Sequence, residues 1–200
     1  MTIFYTLGDA LYVNITNKCS CACVFCVRNS RDSVGGSSSL WLPHEPSFSE
    51  IKAAFDEADL HIKKEIVFCG YGEPLERPAE VFMLCDYMKS KTSLPVRINT
   101  NGLARLISPG FDMEQLKKVN KVSISLNAHN AHEYHRLVNS RFGHAAFDAM
   151  LDFAKDAKAY TQVNFTIVDY SGGPDVHECK ILADKLDIPL RIRGRDEGFG

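Results

Sequence analysis

Four cysteines crowd into the eight residues from Cys19 to Cys26, and three of them, Cys19, Cys23 and Cys26, keep the spacing C-x3-C-x2-C. Thiolates are the ligands that hold iron-sulfur clusters and many zinc ions. Three of them on a [4Fe-4S] cube leave one iron without a protein ligand, and an open coordination position marks a catalytic metal site. Two other readings stay open. One is zinc held with Cys21 as fourth ligand; the other is a set of buried or redox-active thiols. Cys21 lies two residues from both Cys19 and Cys23, so a tetrahedral site would need a tightly folded loop without paired C-x2-C arms. The chain holds seven cysteines, an odd number. Disulfide frameworks belong mainly to small secreted domains, which makes ligation the first reading of the crowd.

A second segment, CGYGEP from Cys69 to Pro74, reads either as an ordinary tight turn or as backbone that lets a ligand approach closely. Arg97, Arg191 and Arg193 share the polar side of their strands. A guanidinium held in a cavity needs an anion, either a carboxylate or phosphate of a ligand or an internal Asp or Glu. His129, His132 and His135 are spaced at three; a solvated helix face is preferred over a second metal, because no Cys or carboxylate motif frames them. Cys85 and Cys179 have apolar neighbours and read as core, whereas Cys69 ends a strand beside the CGYGEP turn. Trp41 could cover the site or pack against a helix.

These residues need a frame. Short β-branched runs alternate with amphipathic stretches, the pattern of repeated βα units around a parallel sheet. Six strands are expected: Leu11 to Thr16, Glu65 to Cys69, Val96 to Thr100, Lys121 to Asn127, Gln162 to Val168 and Pro189 to Arg193. Ile51, Ala54, Phe55 and Ala58 fall on one helical face, as do Phe147, Met150, Leu151 and Ala154. Ser47 and Glu50 form a capping-box pattern before the first of these. Ser33 to Ser39, SVGGSSS, reads as a mobile loop.

Strands covered on both faces usually read as continuous apolar runs. Five of the six alternate instead: Val96 and Ile98 oppose Arg97 and Asn99, Val122 and Ile124 oppose Ser123 and Ser125, and the first sets Val13 and Ile15 against Asn14 and Thr16. A curved, barrel-like sheet with helices on its apolar face explains this, its concave face lining a wet cavity that holds ligands.

With 200 residues, 45% hydrophobic, the chain suffices for one globular domain, residues 1–200. A formal net charge of -2 argues against bulk binding of nucleic acid or anionic lipid. No apolar run approaches the roughly 20 residues that span a bilayer, and no signal peptide is evident, so a cytoplasmic location is expected.

NITNKC followed by C-x3-C-x2-C, with Phe25 just before the last cysteine, resembles the signature of the radical S-adenosylmethionine (SAM) superfamily. Three further segments match in order: CGYGEP resembles the family's Gly-Gly-Glu motif, with Tyr71 in place of a glycine, NTNG at Asn99 to Gly102 its third strand end, and SISLNA at Ser123 to Ala128 its ribose-contacting fourth strand. The resemblance runs from about Leu11 to Arg193. The tract from Arg28 through LWLPHEP is further similar to small radical SAM proteins associated with TatD-type nucleases.

The resemblance implies an α/β partial (β/α)6 TIM-like barrel, a [4Fe-4S] cluster on Cys19, Cys23 and Cys26, and SAM held through its amino and carboxylate groups. Gly70, Tyr71, Gly72 and Glu73 would bind its methionine amino group, Ser123, Ser125, Asn127, Asn99 and Asn101 would line the rest, and Phe25 would lie near the adenine. Cleavage of SAM would yield a 5'-deoxyadenosyl radical. Arg97, Arg191 and Arg193 would bind a small anionic substrate or the SAM carboxylate. An electron donor such as flavodoxin or ferredoxin is expected, as is the absence of a C-terminal auxiliary-cluster domain. The competing functions are an activase that abstracts hydrogen from a partner protein's glycine, and a zinc or thiol-redox module.

Overall fold

A computed structural model of the protein describes residues 1–194, so the expected domain of residues 1–200 ends outside the described residues. Seven strands form one sheet: β1 (Phe4–Leu7), β2 (Ala10–Val13), β3 (Glu65–Phe68), β4 (Val96–Thr100), β5 (Lys121–Ser125), β6 (Gln162–Asp169) and β7 (Leu190–Gly194). They lie in sequence order, β1 antiparallel to β2 and all later pairs parallel. The six expected βα strands are β2 to β7, and the sheet curls into an α/β half-barrel, a partial TIM barrel. β1 was not anticipated. It joins β2 through the two-residue turn Gly8-Asp9, because Leu7 pairs with Ala10.

Six helices follow: α1 (Phe48–Asp56), α2 (Pro78–Lys91), α3 (Ala104–Ile107), α4 (Ala131–Val138), α5 (Ala145–Ala157) and α6 (Val176–Lys185). The capping box of α1 forms as its residues dictate, with Ser47 Oγ accepting from Glu50 N and Glu50 Oε2 accepting from Ser47 N at 2.8 Å. Its buried residues are Ile51 and Phe55; those of α5 include Phe147, Met150 and Ala154. They pack on the convex face of the sheet against Val13, Ile66, Phe68, Ile98, Val122, Ile124, Phe165 and Ile167. Cys85 and Cys179 are fully buried in this layer. Each large apolar side chain taken out of water there contributes about 1.5–3 kcal/mol.

The concave face divides in two. From β4 to β7 it carries Arg97, Asn99, Ser123, Ser125, Asn164, Thr166, Arg191 and Arg193, the polar lining that the alternation predicts. At β1 to β3 it is apolar, since Tyr5, Tyr12 and Val67 form a second core with Val34 and Leu40. The expected first strand is corrected here: β2 stops at Val13, and Asn14 and Thr16 belong to the loop beyond it. Segment Ser33 to Ser39 has neither helix nor strand, but its Val34 anchors in that second core. Among the described residues, no helix is long and apolar enough to cross a membrane.

Candidate functional site

The loop after β2 carries the cysteines, and its polar residues tie it to the segment that returns from the glycine-serine loop. Asn14 Nδ2 donates to Leu40 O at 2.8 Å, Asn17 Nδ2 to Leu42 O at 2.7 Å, and Thr16 Oγ1 to Glu45 Oε1 at 2.7 Å. The other side of the cysteine loop is tied to α4: Ala22 N donates to Val138 O at 3.1 Å, Val24 N to Leu137 O at 3.0 Å, and Cys21 pairs with Ser140 as an isolated bridge. A loop held on both flanks gives its thiols fixed places.

The loop after β3 packs against it. A Cβ on Gly70 would stand 2.1 Å from Asn14 Oδ1, and one on Gly72 would stand 2.3 Å from Thr16 O and 2.6 Å from Lys18 O. Both positions therefore demand glycine for the approach of two protein loops. Tyr71 is also committed to the protein. Its hydroxyl donates to Arg31 O, and Trp41 packs edge-on against its ring at 5.1 Å. Trp41 thus covers Tyr71.

Glu73 is a strut. Its carboxylate accepts from Thr100 Oγ1 at 2.7 Å, Asn101 N at 2.7 Å and Leu75 N at 3.0 Å, joining the end of β3 to the end of β4. Burial and the nearby Cys19 push its pKa up to about 8, against the pull of those three donors. These contacts commit the Glu73 side chain to the turn after β3 and to the end of β4.

All the predicted site residues meet in one cavity at the C-terminal ends of the strands. Cys19, Cys23, Phe25 and Cys26 line it from the first loop and Gly70 to Glu73 from the second; Arg97, Asn99, Asn101, Ser123, Ser125, Asn127, Arg191 and Arg193 line it from β4, β5, β7 and their ends. The chain turns after β5 at Asn127, whose φ of 52° lies in the left-handed region that Asn tolerates better than most residues.

The thiols differ. Cys21 is buried, and its nearness to Cys19, ahead of that of Arg28, favours the Cys19 thiolate, while Cys21 itself is pushed up by that neighbour and by burial. Asn101 Nδ2 also reaches Cys21 Sγ at 3.6 Å. Burial raises Cys23 and Cys26. Three half-buried thiols on one cavity wall, with the fourth turned into a hydrogen-bonding role, suit a cluster bound by three ligands. Among the described residues, no three His, Cys, Asp or Glu side chains converge as ligands of a single metal ion.

Arg97 takes the internal partner. Its Nε and Nη2 donate to the two oxygens of Glu65 at 3.1 and 2.8 Å, and its Nη1 to Asn99 Oδ1 at 2.6 Å. Arg191 and Arg193 stand on β7 opposite Thr166 and Val168. Burial lowers the pKa of Arg193, and Arg191 and Arg97 add like charge while Cys69 pulls the other way. Cys69 lines the cavity with its thiol raised to about 11, chiefly by burial.

The histidines lie elsewhere: His132 is exposed, and His135 stacks on His144 with ring centroids 4.5 Å apart. Sequence reading placed Thr166 on the polar face without naming it as a site residue, and missed Val168, Tyr134 and Val138 as cavity residues. Thr166 and Val168 were legible from the period of their strand. Tyr134, Leu137 and Val138 keep the spacing of a buried helix face, which the neighbouring histidines masked.

The fold recurs in solved structures. TYW1 with a lysine-pyruvate adduct bound superposes with a TM-score of 0.64 at 16% identity, covering 93% of this chain and 64% of that one. Native anSMEcpe with bound AdoMet gives 0.60 at 17% identity, covering 92% and 50%. The FeFe-hydrogenase maturase HydG from Carboxydothermus hydrogenoformans gives 0.59 at 13%, covering 96% and 46%. The chain thus spans less than two thirds of the length of each. No curated protein matches it. The family model of the radical SAM superfamily matches residues 13–184, a span that holds the cysteine loop, the loop after β3 and the C-terminal ends of the parallel strands β2 to β6. With that match over most of its length, the chain belongs to the radical SAM superfamily of enzymes.

Proposed function

We propose that Cys19, Cys23 and Cys26 hold a [4Fe-4S] cluster beside a SAM molecule, and that the enzyme abstracts hydrogen from a small anionic substrate. The observation that carries this reading is that the three thiols line one cavity with the strand ends of β3 to β5 and the arginines of β7. The similar anSMEcpe was solved with AdoMet bound, which supports SAM as the ligand here. Bound there, the cluster and SAM would supply the electron transfer that yields methionine and a 5'-deoxyadenosyl radical.

The protein's own part is positioning and shielding. The surroundings of Cys19 favour its thiolate, whereas burial disfavours the thiolate at Cys23 and Cys26, and ligation would draw the proton from each. Ser125 and Asn127 offer hydrogen bonds to a ribose or carboxylate, and Phe25, steadied by Tyr170 at 5.8 Å, offers an apolar face to the adenine. Arg191 and Arg193 offer charge to the substrate anion, while Arg97 is kept to the cavity floor by Glu65. The narrower likeness to TatD-nuclease-associated proteins adds no reaction.

The test is anaerobic purification and reconstitution, followed by iron, sulfide and zinc analysis and by assay of 5'-deoxyadenosine after addition of SAM and dithionite. Iron and sulfide near four each per chain, with 5'-deoxyadenosine formed, is expected. Zinc without iron or sulfide would sink the proposal. Deuterium transfer into 5'-deoxyadenosine from a labelled carboxylate or phosphate compound would identify the substrate; transfer only from a partner polypeptide would replace the small molecule by a protein.

A further inference from the structure

We infer that the hydroxyl of Tyr134 donates a hydrogen bond to a sulfur of the cluster site and thereby raises the potential at which the cluster accepts its electron; this rests on the cluster reading above. Tyr134 lies in α4, is 1% exposed and lines the cavity that the cysteines line. Its ring packs on Phe147 with centroids 5.6 Å apart, a contact that phenylalanine would make as well. Its oxygen is buried without a hydrogen-bond partner. The groups whose charge acts on it are Cys21, Cys23, Glu73 and Cys19, in that order.

A buried hydroxyl with nothing to bond is unfavourable unless something the chain binds completes it. Its neighbourhood says what that is. The backbone of the cysteine loop is bonded to α4 at Leu137 and Val138, one turn beyond Tyr134, so the hydroxyl and the thiols are held in register by the same contact. An O–H donor beside thiolate or sulfide stabilises the more negative, reduced cluster over the oxidised one, because the hydrogen bond strengthens as charge accumulates on sulfur. Tyr134 is therefore a positioning and tuning residue; it transfers no proton.

The experiment compares Tyr134→Phe with the unmodified protein, both reconstituted anaerobically with iron and sulfide. Cluster reduction by dithionite is followed by electron paramagnetic resonance at set potentials. Expected are equal iron and sulfide contents and a reduction equilibrium about tenfold less favourable in the variant, a fall of about 59 mV for a one-electron couple. An exchangeable-proton coupling to the reduced cluster should also be present in the unmodified protein and absent in the variant. Equal contents with an unchanged potential and coupling would overturn the inference. So would a variant that fails to hold the cluster, since the hydroxyl would then serve assembly or folding. Iron and sulfide missing from the unmodified protein itself would instead overturn the cluster reading on which the inference depends.

Discussion

Gly70→Ala separates two reasons for a glycine at the edge of the cavity: close approach of SAM, or close approach of another loop. The added Cβ would stand 2.1 Å from Asn14 Oδ1, 2.7 Å from its Cγ and 2.9 Å from its Cβ. Asn14 is fully buried and cannot swing aside freely, because its amide donates to Leu40 O at 2.8 Å and Thr2 O at 3.1 Å. Displacing it breaks both bonds, each worth about 0.5–1.5 kcal/mol and more where the carbonyl is left buried and unpaired. A positive φ is not involved at Gly70, so alanine recovers only about 0.4–1 kcal/mol from the unfolded chain. The net expectation is a loss of about 2–3 kcal/mol, read as a fall in the urea midpoint with unchanged slope. Asn14→Gly removes the clashing atoms at the cost of the same bonds. In that background Gly70→Ala should cost nothing further, giving a coupling of about 2–3 kcal/mol where independent sites add to within about 0.5. Additive losses in the double variant, or a Gly70→Ala protein of normal stability that merely binds SAM poorly, would refute the loop-to-loop argument.

Other expectations follow the same contacts. Glu73→Gln places an amide among three donors and should cost about 2–4 kcal/mol, measured by denaturant unfolding above pH 8, where the Glu73 carboxylate is ionised. Glu65→Ala strands the buried Arg97 guanidinium and should cost about 2–3 kcal/mol; this is below the usual figure for a buried pair because the Glu65 side chain is 33% exposed, and Glu65→Gln should recover part of it. Cys21→Ser should retain iron and sulfide after reconstitution, whereas serine at Cys19, Cys23 or Cys26 should lose them; equal loss at all four would return Cys21 to the ligand set. The capping box holds Glu50 at about 2, below its ordinary 4.5, so its contribution to stability is complete above pH 4.5 and vanishes as pH falls towards 2. Unfolding curves of Glu50→Gln and the unmodified protein should therefore differ at pH 6 and converge near pH 2.

Local rules in the sequence settled much of the frame and marked the residues that could do chemistry. The period of two in Val96 to Thr100 and Lys121 to Ser125 placed Asn99, Ser123 and Ser125 on the cavity side, because side chains of a strand alternate whatever the strand packs against. Spacing marked Cys19, Cys23 and Cys26 as candidate ligands while leaving Cys21 open as a fourth, and Ser47 with Glu50 announced the start of α1. What depended on distant pairings was not written locally. The polarity of Asn14 and Thr16 looked like a strand face but serves the backbone of Leu40 and the side chain of Glu45, some 26 to 29 residues on. Arg97 meets Glu65 only because β3 and β4 are neighbours in the sheet. The glycines at 70 and 72 are required by the loop after β2, a contact created when β2 and β3 pair. Tyr134 enters the cavity because the end of α4 bonds to the cysteine loop more than a hundred residues earlier in the chain. Short-range spacing thus marked the candidate ligands, and the folding of the sheet decided which of the surrounding polar groups are spent on the protein and which are left to line the cavity.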